Sequence, residues 1–116
     1  MDYDEKQIKR RILEWLTQSE GSVYTTSFEF EIVENKEDRL FVNLTFEHCL
    51  AMIAVGKPEG APFKFVAFDA LSIVDGSRVF NFYDTDDTTQ AEVIEQLNKG
   101  VGICSRYIRR CVNEST

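Results

Sequence analysis

Three carboxylates in the segment "YDTDDT" are the residues most able to do chemistry. Asp84, Asp86 and Asp87 follow an alternating apolar run and precede a helical pattern. Carboxylates at this spacing can bind a divalent cation, transfer protons, cap a helix or form an acidic surface for a partner. The surrounding sequence has to discriminate among these roles.

The segment resembles the D-x-D-x-T nucleophile motif of haloacid-dehalogenase-type phosphatases, over five residues of 116. The resemblance implies that Asp84 would be the nucleophile and Asp86 the acid/base. In that family, later segments of a parallel α/β domain supply a Lys and further metal-binding carboxylates. Here the residues after Thr88 read as one helix, so a small carboxylate-based hydrolase is only an alternative.

Metal and cofactor sites have little support in the sequence. A calcium loop would draw on Asp84, Asp86, Thr88, Gln90, Glu92 and Glu95. Its sixth position must be Gly for a sharp turn, and Thr89 stands there. Three Cys and one His lack the C-x-x-C spacing of a zinc site, and no phosphate-binding loop occurs. We expect no metal and no cofactor.

No catalytic pair is evident either. His48 and Cys49 are neighbours in a predicted strand, where adjacent side chains point to opposite faces. They therefore cannot act as nucleophile and base by adjacency.

Helix capping explains where the carboxylates lie. Thr89 with Glu92, or Asp87 with Gln90, could form a capping box. Capping does not account for the density of the cluster. We therefore expect Asp84, Asp86 and Asp87 to start the helix and also to form part of an acidic partner-binding face. Replacing Asp84 and Asp86 by Lys should then cost little stability.

Hydrophobic periodicity predicts the elements. An amphipathic helix covers about 4–19, capped by Asp2 with Glu5 and ended by Gly21. Strands are expected over 28–33, 40–46, 48–55 and 63–68, followed by a hairpin about Asp75-Gly76. In the first of these strands, Phe28, Phe30 and Ile32 are expected to point inward. Residues 48–55 are apolar on both faces, which predicts a central strand covered on both sides.

A long helix is predicted over about 88–113. Its apolar stripe consists of Ile94, Leu97, Val101, Cys104, Ile108 and Cys111. Gly100 and Gly102 suggest a close approach to the sheet or a local break. We predict one α+β domain over 1–116, with an N-terminal helix, an antiparallel sheet of 5–6 strands and a long C-terminal helix packed on it. Both helices are expected on one face, leaving Phe41 and Phe68 towards the other.

Charge limits the partners. A net charge of −7 disfavours direct binding to nucleic acid and favours a basic protein partner. No apolar run is long enough for a membrane span, and the odd number of three Cys disfavours a disulfide framework, so a cytoplasmic protein is expected. The candidate partner-binding residues are Glu29, Glu31, Glu34, Glu37, Asp38, Asp84, Asp86 and Asp87.

These features favour a non-enzymatic acidic binding protein, either a monomer or a homodimer. In size and acidity it is similar in type to bacterial immunity proteins, which neutralise a cognate toxin such as a nuclease domain. The alternative binding role is that of an acidic chaperone for a secreted effector, which would use an exposed apolar sheet surface such as that around Phe41.

Overall fold

The computed structural model describes residues 3–20, 28–57, 60 and 62–107. Two helices and five strands make up this part of the chain. Their bounds are α1 Glu5–Glu20, β1 Glu29–Lys36, β2 Arg39–Thr45, β3 Cys49–Val55, β4 Val66–Ser72, β5 Arg78–Tyr83 and α2 Gln90–Arg106. The predicted α+β arrangement is confirmed.

The five strands form an antiparallel sheet in the order β1-β2-β3-β4-β5. Each strand pairs with the next in sequence. The predicted strand 63–68 and the first arm of the hairpin about Asp75-Gly76 are in fact one strand, β4. The hairpin is confirmed, but its two-residue turn is not: the connection spans residues 73–77, and Gly76 has a φ of 73° whereas Asp75 does not have a positive φ.

Both helices contribute to one hydrophobic core on a single face of the sheet. Val42, Ile53 and Phe68 lie in register across β2, β3 and β4 and are completely buried. Ile12 of α1 and Leu97 of α2 are buried in the same core. The expectation that Phe68 lies on the second face is therefore wrong, because its register places it on the covered one.

The two helices are also joined directly. The indole Nε1 of Trp15 donates a hydrogen bond of 2.8 Å to Oδ1 of Asn98. The amphipathic stripe of α1 is confirmed, since Ile8, Ile12 and Leu16 are all buried.

Gly100 marks the point where α2 comes closest to the sheet. A Cβ built there would lie 2.6 Å from Cε2 of Phe68 and 2.9 Å from Cδ2 of Phe80, closer than real contacts allow. The same construction at Gly102 meets only the Arg106 guanidinium, at 3.3 Å. The predicted close approach is confirmed at Gly100 alone.

The cap of α1 differs from the predicted one. The Gln7 backbone N–H donates to Asp4 Oδ1 at 2.8 Å, and the Asp4 N–H donates to Gln7 Oε1 at 3.0 Å. This reciprocal capping box lies two residues after the predicted pair, and Glu5 is already the first helical residue. Asp2 and Gly21 lie outside the described residues, as do Ile108 and Cys111.

The outer strands show where the core ends. β1 is an edge strand with a register shift between Ile32 and Glu34. Ile32 is partly exposed, at 41 %, although the alternation predicts an inward side chain. On the central strand β3, Leu50 and Met52 are exposed as well. The prediction that this strand is covered on both sides is wrong, because both helices lie on the opposite face.

Candidate partner-binding surface

Asp84 is buried and takes no part in any surface. Its side chain is 1 % exposed. Oδ1 accepts hydrogen bonds from the backbone N–H groups of Lys64, Phe65 and Val66 at 2.8, 2.8 and 2.9 Å. Oδ2 accepts the hydroxyl of Tyr3 at 2.6 Å. The expectation that Asp84 belongs to an acidic partner-binding face is wrong, since the carboxylate points inward. The expectation that Lys at Asp84 and Asp86 would cost little stability is wrong for the same reason, because a Lys at position 84 would leave these four donors without their acceptor.

These four hydrogen bonds give Asp84 a structural role. They connect the end of β5 to the entry of β4 and to Tyr3, two residues before α1. The N–H groups of Lys64 and Phe65, which precede β4, and that of Val66, its first residue, all bind this carboxylate, so Asp84 holds the start of β4 against the end of β5. A carboxylate with both oxygens occupied in this way is a poor nucleophile, which weakens the phosphatase resemblance.

Asp86 and Asp87 remain on the surface beside this buried residue. Asp86 forms an ion pair of 3.0 Å with Nζ of Lys64. The cap of α2 needs neither of them. Thr89 Oγ1 accepts the Glu92 N–H at 3.1 Å, and the Thr89 N–H donates to Glu92 Oε1 at 3.0 Å. Of the two capping boxes that the sequence allows, the structure contains this one.

The carboxylates near the β1–β2 turn are partly neutralised. Glu37 pairs with Lys6 at 2.9 Å, and Glu34 lies 3.6 Å from Lys36 and 3.9 Å from Arg39. The hydrogen bond from Lys6 and its charge lower the pKa of the Glu37 carboxyl. Asp38 in the turn is exposed. Much of the negative charge at this end is therefore balanced within the molecule.

Glu29 and Glu31 are different. Both are exposed on β1 and point to the face of the sheet opposite the one on which the described helices α1 and α2 pack. Neither forms an ion pair with a residue of the described ranges. They lie two residues apart on one strand, roughly 7 Å from each other, so their charges reinforce one another.

Beside these two carboxylates lies an apolar floor. Two rows of side chains cross β1 to β4 in register. They are Glu29, Thr45, Leu50 and Leu71, and Glu31, Asn43, Met52 and Asp69. Leu50, Met52 and Leu71 are exposed by 50, 40 and 38 %. Together the two rows line a groove of about 480 Å³, which we call the open face.

The far side of the open face carries a balanced charge. Asp69 Oδ1 lies 3.3 Å from Nε of Arg78 and accepts a longer hydrogen bond of 3.4 Å from Asn81. The uncompensated negative charge of the open face thus lies on the β1 side. Phe41 is half-buried and lines a separate hollow of about 150 Å³ with Phe63, at the end of the face nearer the β1–β2 turn.

Additional apolar side chains continue the open face towards the β4–β5 turn. Ile73 and Val74 are 51 % and 64 % exposed, and the Ile73 N–H donates to the carbonyl of His48 at 2.9 Å. The signal in the sequence was the apolar outer set of β3 combined with the apolar run "LSIV" of 71–74. This apolar pattern indicates an exposed apolar surface only when both helices are known to lie on the other face of the sheet.

The remaining reactive groups lie elsewhere or are buried. Within the described ranges, no three His, Cys, Asp or Glu side chains cluster as a metal site would require. The thiols of Cys49 on β3 and Cys104 on α2 are both buried. Burial, followed by the proximity of Cys49, raises the pKa of the Cys104 thiol to about 12. Such a thiol is a weak nucleophile at neutral pH.

Neither helix in the described part of the chain is long and apolar enough to cross a bilayer. Comparison of the chain with family models, with characterised proteins and with solved structures gives no match.

Proposed function

We propose that this chain is a non-enzymatic binding protein whose open face binds a basic protein partner. The observation that carries the proposal is the juxtaposition of exposed Leu50, Met52 and Leu71 with the carboxylates of Glu29 and Glu31, which form no ion pair within the described residues. Large apolar side chains in a contiguous exposed patch are typical of interaction surfaces.

The two parts of the open face would contribute differently to binding. Full burial of a large aliphatic side chain contributes about 1.5–3 kcal/mol, and these three are only half-exposed, so the apolar floor supplies a modest affinity. The carboxylates would act over a longer distance. They would attract a basic partner, speed its association and disfavour acidic competitors.

The finer interpretation is that the partner is a toxin with a cationic active-site cleft, such as a nuclease domain, and that the chain neutralises it as immunity proteins do. An acidic protein can occupy such a cleft where the phosphates of the substrate would bind. The net charge of −7 agrees with this role.

One observation favours a second candidate. The exposed side chains of Ile73 and Val74 extend the apolar floor beyond the carboxylates. An acidic chaperone for a secreted effector would use an apolar sheet surface of this kind to hold its client.

Co-expression with the product of the neighbouring reading frame tests both candidates. An immunity protein would form a stoichiometric complex and abolish the activity of the partner, for example its cleavage of DNA. A chaperone would keep its client soluble and leave the activity of the released client intact. A purified protein that instead hydrolyses a generic phosphoester with magnesium, and loses this activity on Asp86→Asn, would contradict a binding role.

A further inference from the structure

We infer that the occupant of the open face is an amphipathic α-helix of the partner, with an apolar stripe flanked by Lys or Arg. This inference rests on the proposed function and specifies the element that is recognised. The dimensions agree with it. Each row of the open face crosses four strands, or three strand spacings of roughly 4.8 Å, so it extends about 14 Å. Two to three helical turns are roughly 11–16 Å long.

Backbone hydrogen bonding favours a helix over an extended segment. The apolar part of the floor consists of the side chains of Leu50, Met52 and Leu71, which offer no hydrogen bonds, and only the scattered side chains of Asn43, Thr45 and Asp69 could replace a few of those that a peptide backbone loses. An extended peptide lying there would lose water from its backbone N–H and C=O groups and would replace few of those hydrogen bonds. A helix satisfies its own backbone and presents only side chains. The covered face of this sheet already packs two helices by the same principle.

The edge of the sheet is a poor alternative for an extended partner. β1 borders the open face, but its register shift between Ile32 and Glu34 interrupts the pattern of N–H and C=O groups that an added strand needs. Exposed Glu29 and Glu31 on the same strand attract Lys and Arg side chains instead of a paired backbone.

A second copy of this chain is a less suitable occupant. It would carry the same net charge of −7 to the surface. The open face carries the negative charges of Glu29, Glu31 and Asp69. The neighbouring positive charge of Arg78 is already paired with Asp69, so it is not available to the carboxylates of a second copy. Charge complementarity therefore favours a basic helix over self-association.

Two peptides of identical composition test the inference. The first, of about 16 residues, places Leu at i, i+3, i+4 and i+7 with Lys on both flanks, while the second alternates Leu and Lys as a strand would. Binding to the intact protein is measured by fluorescence anisotropy of the labelled peptides. We expect the helical peptide to bind about tenfold more tightly than the alternating one, a difference of about 1.4 kcal/mol.

Matched variants locate the binding. Leu50→Ser should weaken binding of the helical peptide about fivefold or more, whereas Val33→Ser should leave it unchanged, since Val33 is just as exposed but lies outside the groove. Equal or tighter binding of the alternating peptide would overturn the inference. The inference would also be overturned if light scattering showed that the wild type is a dimer and that Leu50→Ser is a monomer, because a second copy of the chain would then cover the open face.

Failure of the inference and failure of the proposed function give different results. If the product of the neighbouring reading frame binds the wild type and Leu50→Ser equally, and neither peptide binds, the helix inference is wrong while a binding function stands. If the helical peptide binds at Leu50 but no basic protein partner does, the recognition mode stands and the proposed function is wrong.

Discussion

At the residue scale, Asp84 shows how a residue that suggests chemistry can instead hold the fold together. Its carboxylate accepts three backbone N–H groups and the hydroxyl of Tyr3. Hydrogen bonds to a charged acceptor contribute about 1.5–3 kcal/mol each, and a buried donor left without an acceptor is unfavourable. The sequence shows an Asp directly after a strand, which is equally typical of a cap, a metal ligand or a nucleophile.

We expect Asp84→Ala to lower the free energy of unfolding by about 3 kcal/mol or more, because buried N–H groups lose their acceptor. Asp84→Asn should cost less, since the amide keeps one acceptor oxygen. Urea unfolding gives both values. Asp86→Ala is the control, and as the loss of an exposed ion pair it should change the stability by about 1 kcal/mol at most. Equal unfolding midpoints for Asp84→Ala and Asp86→Ala would contradict the structural role.

The raised pKa of Cys104 gives a second residue-scale prediction. Burial and the nearby Cys49 raise this pKa to about 12, so the folded protein keeps the proton at a pH where the unfolded thiol, with a pKa near 9.0, loses it. The contribution of the protonated Cys104 thiol to the free energy of unfolding is therefore fully present below about pH 9 and is lost as the pH rises towards 12. The slope attributable to this group is about −1.4 kcal/mol per pH unit.

Urea unfolding between pH 8 and roughly 10.5 checks this sign, with Cys104→Ala as the comparison. The wild type should lose stability more steeply with pH than the variant, whatever the cost of the cavity at neutral pH. Parallel pH dependences would show that Cys104 titrates normally. Thiol labelling of Cys104 under native conditions should correspondingly be slow.

At the element scale, the two glycines of α2 provide a matched pair. We expect Gly100→Ala to destabilise the protein by about 1–3 kcal/mol, because its Cβ would overlap the rings of Phe68 and Phe80. Gly102→Ala should be neutral or stabilising by up to about 1 kcal/mol, since the flexible Arg106 side chain can move and Ala favours a helix. Thermal unfolding of both variants measures the difference. Stabilisation by both substitutions would contradict the close packing of α2 on β4 and β5.

Periodicity was sufficient for most elements because burial repeats every two residues in a strand and every 3.6 residues in a helix. β2 illustrates this, with Leu40, Val42 and Leu44 buried as the alternation predicts. The beginning of β4 could not be predicted, because Phe63 to Phe65 alternate like a strand, while the N–H groups of Lys64 and Phe65 bind the carboxylate of Asp84, 20 and 19 residues away. Contacts between distant residues leave no local pattern.

At the scale of the whole molecule, the open face exists because both helices lie on one side of the sheet. When a strand is apolar on both faces, the sequence predicts that a residue such as Leu50 is buried. Leu50 is exposed because both helices pack on the opposite face of the sheet. The candidate surface was therefore only partly predictable. Glu29 and Glu31 remain candidates from sequence and structure together, whereas Leu50, Met52 and Leu71 emerge from the fold, and Asp84 is excluded by its burial.

The central claim is that the open face recognises a basic protein partner. The most direct test is the association rate of the co-expressed partner at low salt, measured by stopped-flow fluorescence. Glu29→Gln/Glu31→Gln removes two charges from the open face, and Glu14→Gln/Glu95→Gln removes two exposed charges from the helices. We predict that the first pair slows association about tenfold, that the second leaves it within about twofold, and that the difference shrinks as salt screens the charges. Equal rates for the two double variants at low salt would contradict the claim.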